Sequence, residues 1–139
     1  MSRRNVIPVS ITAFGHFIVE LCTNFLPIVY PLLIALLGLS YGQIGLIALM
    51  MGVGASAMQP LFGLWSDRWS PFVIASFGVI WSGVVLGLIG LAPSYWFVLL
   101  VVAVGGLGSA AFHPSGATIA YAGGGRRRGI AISIFSVGG

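Results

Sequence analysis

Four long apolar runs follow one another along the chain, each sufficient for a helix that crosses a hydrocarbon core about 30 Å thick. They predict helices over residues 8–37, 41–66, 71–91 and 94–121, joined by short turn-like segments. A fifth run, "GIAISIFSVGG" over residues 129–139, has about half the spanning length and predicts a helix cut off inside the sequence. Tyr41, Trp65, Trp69, Tyr95, Trp96 and Tyr121 fall near the predicted ends, where an interfacial aromatic belt is expected. The pattern gives an all-α membrane protein, with four transmembrane helices and the start of a fifth in one unit over residues 1–139.

Composition agrees: 58% of the 139 residues are hydrophobic and 6% are charged, which excludes an ordinary soluble domain. The net charge of +4 would raise the question of nucleic acid, but the basic residues are few and are not interleaved with solvent-facing aromatics. Their placement carries a different message. Arg3 and Arg4 precede the first run, Arg68 lies between the second and third, and Arg126, Arg127 and Arg128 follow the fourth. A chain crossing at every run puts all of them on one side, with uncharged loops opposite, and the positive-inside rule then makes the N-terminus cytoplasmic. A cleaved signal peptide is the competing reading of the first residues. The apolar stretch outruns a signal h-region, holds His16 and Glu20, and lacks a clear cleavage site. Cys22 is the single cysteine and can form no intrachain disulfide.

Small residues four apart (Gly83 with Gly87, Gly105 with Ser109, Gly106 with Ala110) predict close helix packing in lipid. Pro27 and Pro31 lack an N–H and press on the carbonyls of Thr23 and Pro27, so the first helix is expected to kink and could line a cavity.

His16, Glu20 and Asn24 are spaced by four and share one helix face. An ionised carboxylate is costly in hydrocarbon, so this face should turn to the bundle interior or to a water-filled path. Glu20 is then paired, or protonated, or each in turn, and the last alternative is what a proton-coupled carrier needs. His113, in "GGLGSAAFHPSGA", lies about eight residues from its predicted cytoplasmic end, as does His16, so both imidazoles sit roughly 12 Å deep at 1.5 Å per residue. A metal site of His16, Glu20 and His113 is an alternative that no close ligand motif supports, so no metal or other cofactor is assigned. Ser109 and Ser115 beside His113 give no nucleophile signature without an orienting acid. A phosphate-binding loop is absent from this stretch, which argues against an ATP-driven pump within it.

The loop "GLWSDR", through Gly63, Asp67 and Arg68, resembles the short cytoplasmic loop of the major facilitator superfamily. Trp69, Ser70 and Pro71 stand where basic residues usually follow. More specific are His16 and Glu20 in an H-x-x-x-acid pattern, "YPLL", "LSYGQIGLI", Gln59-Pro60, "GLGSAAFHP" and "GGGRRRGIAISIFSVGG". Together they are similar to the fosmidomycin-resistance branch of that superfamily. The resemblance implies a fold of two six-helix halves, of which this chain holds part of the N-terminal half, and inverted repeats that make the first and fourth helices equivalent around a central cavity. It also implies proton-driven efflux of small molecules across a bacterial cytoplasmic membrane. Ser115 departs from the branch, which often carries an acid directly after the His-Pro pair.

The expected function is secondary transport and not enzymatic catalysis. Glu20 would carry the proton with His16 and His113 as relay groups, Asn24 and Gln59 would contact substrate, and Gly63, Asp67 and Arg68 would form a gating loop. The expected partners are the lipid bilayer, protons, a small-molecule substrate and further C-terminal helices of the same chain. The rivals are a non-transporting small membrane subunit and a membrane-embedded metal enzyme.

Overall fold

Proline, serine and glycine punctuate the apolar runs more finely than hydropathy does. The computed structural model describes residues 3–139, with side chains from Val6 onward; the side chains of Arg3 and Arg4 lie outside the described residues. Seven α-helices and two short 3-10 turns make up the described chain, with no strand among them. The α-helices are α1 (Arg3–Asn24), α2 (Leu26–Leu37), α3 (Tyr41–Ser56), α4 (Gln59–Arg68), α5 (Pro71–Gly87), α6 (Tyr95–Gly123) and α7 (Arg128–Val137).

The first predicted helix is thus two, α1 and α2, which meet at Phe25. Pro27 opens α2 at a position where its missing N–H costs nothing. The second predicted helix is likewise two, α3 and α4, a break that the unbroken apolar run did not announce. Pro60 stands in the first turn of α4, and its ring opposes the carbonyl four residues back, that of Ser56, where α3 ends. The α1–α2 and α3–α4 pairs, α5 with its 3-10 extension, and α6 remain long and apolar enough to cross a membrane, over Val6–Leu37, Tyr41–Arg68, Pro71–Leu91 and Tyr95–Gly123.

Local chemistry sets the ends. Ser40 accepts from the backbone N–H of Gln43 while the Gln43 side chain accepts from the N–H of Ser40, a reciprocal capping box that starts α3. Gly38, at φ 64°, closes α2 in the left-handed conformation. Ser94 caps α6, which then runs unbroken through Pro114.

α6 is the central post, packed against α1, α3, α4, α5 and α7. Its backbone comes close to two neighbours because side chains are missing at the crossings. A Cβ on Gly106 would meet the backbone of Ala55 and Gly54, and one on Gly78 would meet the backbone of Gly108 and Phe112. Such approach favours dispersion contacts between helices where no hydrophobic effect operates. The Trp81 indole N–H donates to the Val104 carbonyl at 2.8 Å and ties α5 to α6. Gly83 and Gly87, expected to pack, face open space. Large apolar side chains such as Ile28, Leu36, Ile80 and Leu100 point outward, as a bilayer or further helices require.

Candidate functional site

The break between α1 and α2 and the one between α3 and α4 open a cavity of about 400 Å³ beside α6. Glu20, Asn24, Tyr30, Gln59, Ser109 and His113 are on its wall.

The spacing of four on α1 places Glu20 and Asn24 in direct contact, the Asn24 amide donating to Glu20 Oε2 at 2.7 Å. The other carboxyl oxygen, Oε1, faces two imidazoles. Nε2 of His113 is 3.1 Å away and Nε2 of His16 is 3.8 Å away. The side chains of Glu20, His113 and His16 are 26%, 27% and 12% exposed, so the carboxyl group is partly open to the cavity and His16 is the deepest of the three.

Each imidazole is anchored from behind. Nδ1 of His113 lies 2.8 Å from the Ser109 carbonyl, and Nδ1 of His16 lies 2.8 Å from the Phe135 carbonyl. A carbonyl can only accept, so both Nδ1 atoms carry hydrogen and donate. Both rings therefore present Nε2 to Glu20. With Nδ1–H committed, the close contact between His113 and Glu20 needs one proton between them. The pair is either imidazolium with carboxylate or neutral imidazole with carboxylic acid. Because Oε2 is occupied by the Asn24 amide, the carboxyl proton of the second form belongs on Oε1.

Aromatic packing fixes His16 further. Its ring stacks on Phe135 with centroids 4.5 Å apart and planes at 17°, and it meets the His113 ring edge-on at 5.0 Å. Gly116 makes room for this arrangement, since a Cβ there would contact the Phe135 ring at 2.9 Å. α7 thus supports the site with both a side chain and a carbonyl.

Gln59 sits at the start of α4, its amide donating to the Ala55 carbonyl at 2.8 Å, with its side chain on the cavity wall. The expected gating loop is not a loop. Gly63, Asp67 and Arg68 belong to α4, and only Trp69 and Ser70 separate it from α5. Asp67 and Arg68 are exposed, and the ion pairs among the described residues all involve Glu20. Gly63 approaches Pro114, the residue after His113. Ser115 is buried outside the cavity wall, and its hydroxyl has no hydrogen-bond partner among the described residues. The sequence reading missed the carbonyls of Ser109 and Phe135, to which residue identity gives no clue.

Comparison with known proteins bears on the same region. The sequence profile of the Major Facilitator Superfamily matches residues 12–139. The chain is 35% identical over 127 residues to the Fosmidomycin resistance protein of Escherichia coli (strain K12), covering 91% of this chain and 31% of that protein. It is 37% identical over 127 residues to the Uncharacterized MFS-type transporter YfnC of Bacillus subtilis (strain 168), covering 89% of this chain and 30% of that protein. The chain thus spans about a third of the length of the curated relatives it matches. No solved structure matches.

Proposed function

Because the chain belongs to the Major Facilitator Superfamily, a family of transporters, we propose that it forms part of a secondary transporter exporting a small molecule from a bacterial cytoplasm, driven by protons. The reading is carried by one observation: Glu20, on the wall of a cavity with His113, turns its Oε1 to two anchored imidazoles, those of His113 and His16. An intramembrane carboxyl group in that position can take up a proton from one side and release it to the other as the cavity changes face. His16 and His113 are relay groups, and Asn24 and Gln59 are substrate contacts. Movement of α4 against α6 at the Gly63–Pro114 contact, with Asp67 and Arg68 at its end, would gate the cavity. In the bilayer, Arg68 and Arg126 to Arg128 would lie with the N-terminus on the cytoplasmic side, and further helices would close the cavity's far wall.

The name of the Escherichia coli relative makes fosmidomycin the first compound to test. Inverted membrane vesicles containing the intact protein should accumulate it when a proton gradient is imposed and should stop when an uncoupler collapses the gradient. Glu20→Gln should keep binding the compound while losing accumulation. Accumulation by that variant, with an unchanged dependence on pH, would remove the coupling role. A small membrane subunit devoted to packing is the weaker reading, because it gives the polar cavity wall nothing to do.

A further inference from the structure

His16, Glu20 and His113 bring their ligating atoms within 4.8 Å of one another from α1 and α6. We propose that these side chains form a binding site for one divalent transition-metal ion of the zinc class, held by Nε2 of both histidines and Oε1 of Glu20. The inference rests on the site's geometry and is independent of whether the protein exports anything.

The donor set is the first argument. Two imidazoles and one carboxylate suit zinc and its neighbours, whereas calcium and magnesium want oxygen ligands throughout. Three protein ligands with a position left open is the arrangement of accessible zinc sites. Here the open position has somewhere to face, since Glu20 and His113 are on the wall of the 400 Å³ cavity.

The second argument lies in the surroundings. Histidines that bind metal donate their other ring N–H to a carbonyl or carboxylate, which fixes the tautomer and aims the ligand nitrogen. Both histidines do so, His16 to the Phe135 carbonyl and His113 to the Ser109 carbonyl, each at 2.8 Å. The carboxylate is held too, its Oε2 taken by Asn24 and its Oε1 turned to the Nε2 atoms of both histidines.

Ring placement is the third. Two imidazoles bound through nitrogen to one tetrahedral zinc at about 2.0–2.1 Å have ring centroids about 5 Å apart and ligand atoms about 3.4 Å apart. The observed centroid separation is 5.0 Å, and Glu20 Oε1 is 3.1 Å and 3.8 Å from the two nitrogens. Short-range motif searching misses the site because His113 lies 93 residues beyond Glu20.

The test is direct binding to the intact, untagged protein in detergent. Cobalt(II) serves as the spectroscopic probe and zinc as the competitor, titrated after treatment with a chelator. The expected result is one ion per chain, tetrahedral cobalt absorption bands, and displacement by zinc. Losing an outer-shell partner costs about 10–100-fold in metal affinity. His16→Ala and His113→Ala should each cost at least that much, and Asn24→Ala about tenfold with the stoichiometry kept. Gel filtration and melting without metal identify any variant that fails to fold, and His16→Gln and His113→Gln then replace the alanine variants. Absence of saturable binding in the wild type, or binding unchanged in the double histidine variant, overturns the proposal. Neither result touches proton-driven accumulation, which is measured separately.

Discussion

Nε2 of His113 lies 3.1 Å from Oε1 of Glu20, across 93 residues of chain and between two helices. Because the opposite edge of the imidazole is bound to the Ser109 carbonyl, the state of this contact depends on where a single proton resides. Asn24 and His16 complete the setting, one by occupying Oε2 and the other by offering a second Nε2. The arrangement links a carboxyl group on α1 to the helix against which most of the bundle packs.

The first prediction concerns that link. Under the proposed proton-coupled function, the wild type's substrate affinity should change about 5–150-fold between protonated and deprotonated states, because linked sites in proteins typically share about 1–3 kcal/mol of coupling free energy. Glu20→Gln should abolish this dependence. His113→Ala should weaken it, and the double variant should be no worse than Glu20→Gln alone, since residues in one network are not additive. Substrate binding to the purified variants across pH checks this; additive losses would mean the two groups act separately.

A second prediction separates glycines that the sequence makes look alike. Gly106→Val would drive a side chain into the backbone of Gly54 and Ala55 on α3, with no flexible group able to yield. Overpacking of this kind typically costs about 1–3 kcal/mol, sometimes more. Gly83→Ala and Gly87→Ala meet nothing within 4 Å, and should be neutral or slightly stabilising, because alanine is the better helix former by about 1 kcal/mol. Thermal unfolding in detergent of the three variants is the measurement.

These glycines also show where sequence reading ends. Spacing by four says that residues share a helix face, but not whether that face meets α6 or open space. The polar stripe was legible because a charge in hydrocarbon points inward for energetic reasons, and the cavity contains Glu20 and Asn24. The carbonyl anchors of both histidines were not legible, because any residue supplies a carbonyl, whereas the Ser109 hydroxyl, 3.1 Å from Nδ1 of His113, follows from a spacing of four. The break before Pro60 was hidden for another reason: hydropathy measures how apolar a run is and does not register a lost N–H. Asp67 and Arg68 read as loop residues because polar residues close an apolar run, yet the helix continues through them to Trp69, whose N–H bonds to the Trp65 carbonyl.

That break supports a third prediction. Pro60→Ala restores an N–H that can pair with the Ser56 carbonyl and join α3 to α4. A proline inside a helix costs about 3 kcal/mol, so the variant should be at least as heat-stable as the wild type. Straightening would carry Gln59 away from its place on the cavity wall, and transport should fall. A variant that is more stable but equally active would show that the break contributes nothing to function.

The last prediction concerns the support of His16. Phe135 holds this ring in two ways, through its backbone carbonyl at 2.8 Å and through its stacked side chain at 4.5 Å. Phe135→Ala removes only the second. Truncating a buried phenylalanine in a packed core typically costs about 3–5 kcal/mol, so the melting temperature should drop. The local consequence is more specific. In the wild type the His16 side chain is 12% exposed against 27% for His113, so a histidine-modifying reagent should label His113 faster. With the stacked ring gone, His16 loses its cover while His113 keeps its bond to Ser109, and the ratio of labelling should move toward His16. Gly116→Val should have the same effect by pushing on the Phe135 ring from the α6 side. Mass spectrometry of each peptide gives the ratio directly, and an unchanged ratio in both variants would mean that the Phe135 carbonyl alone holds the imidazole in place.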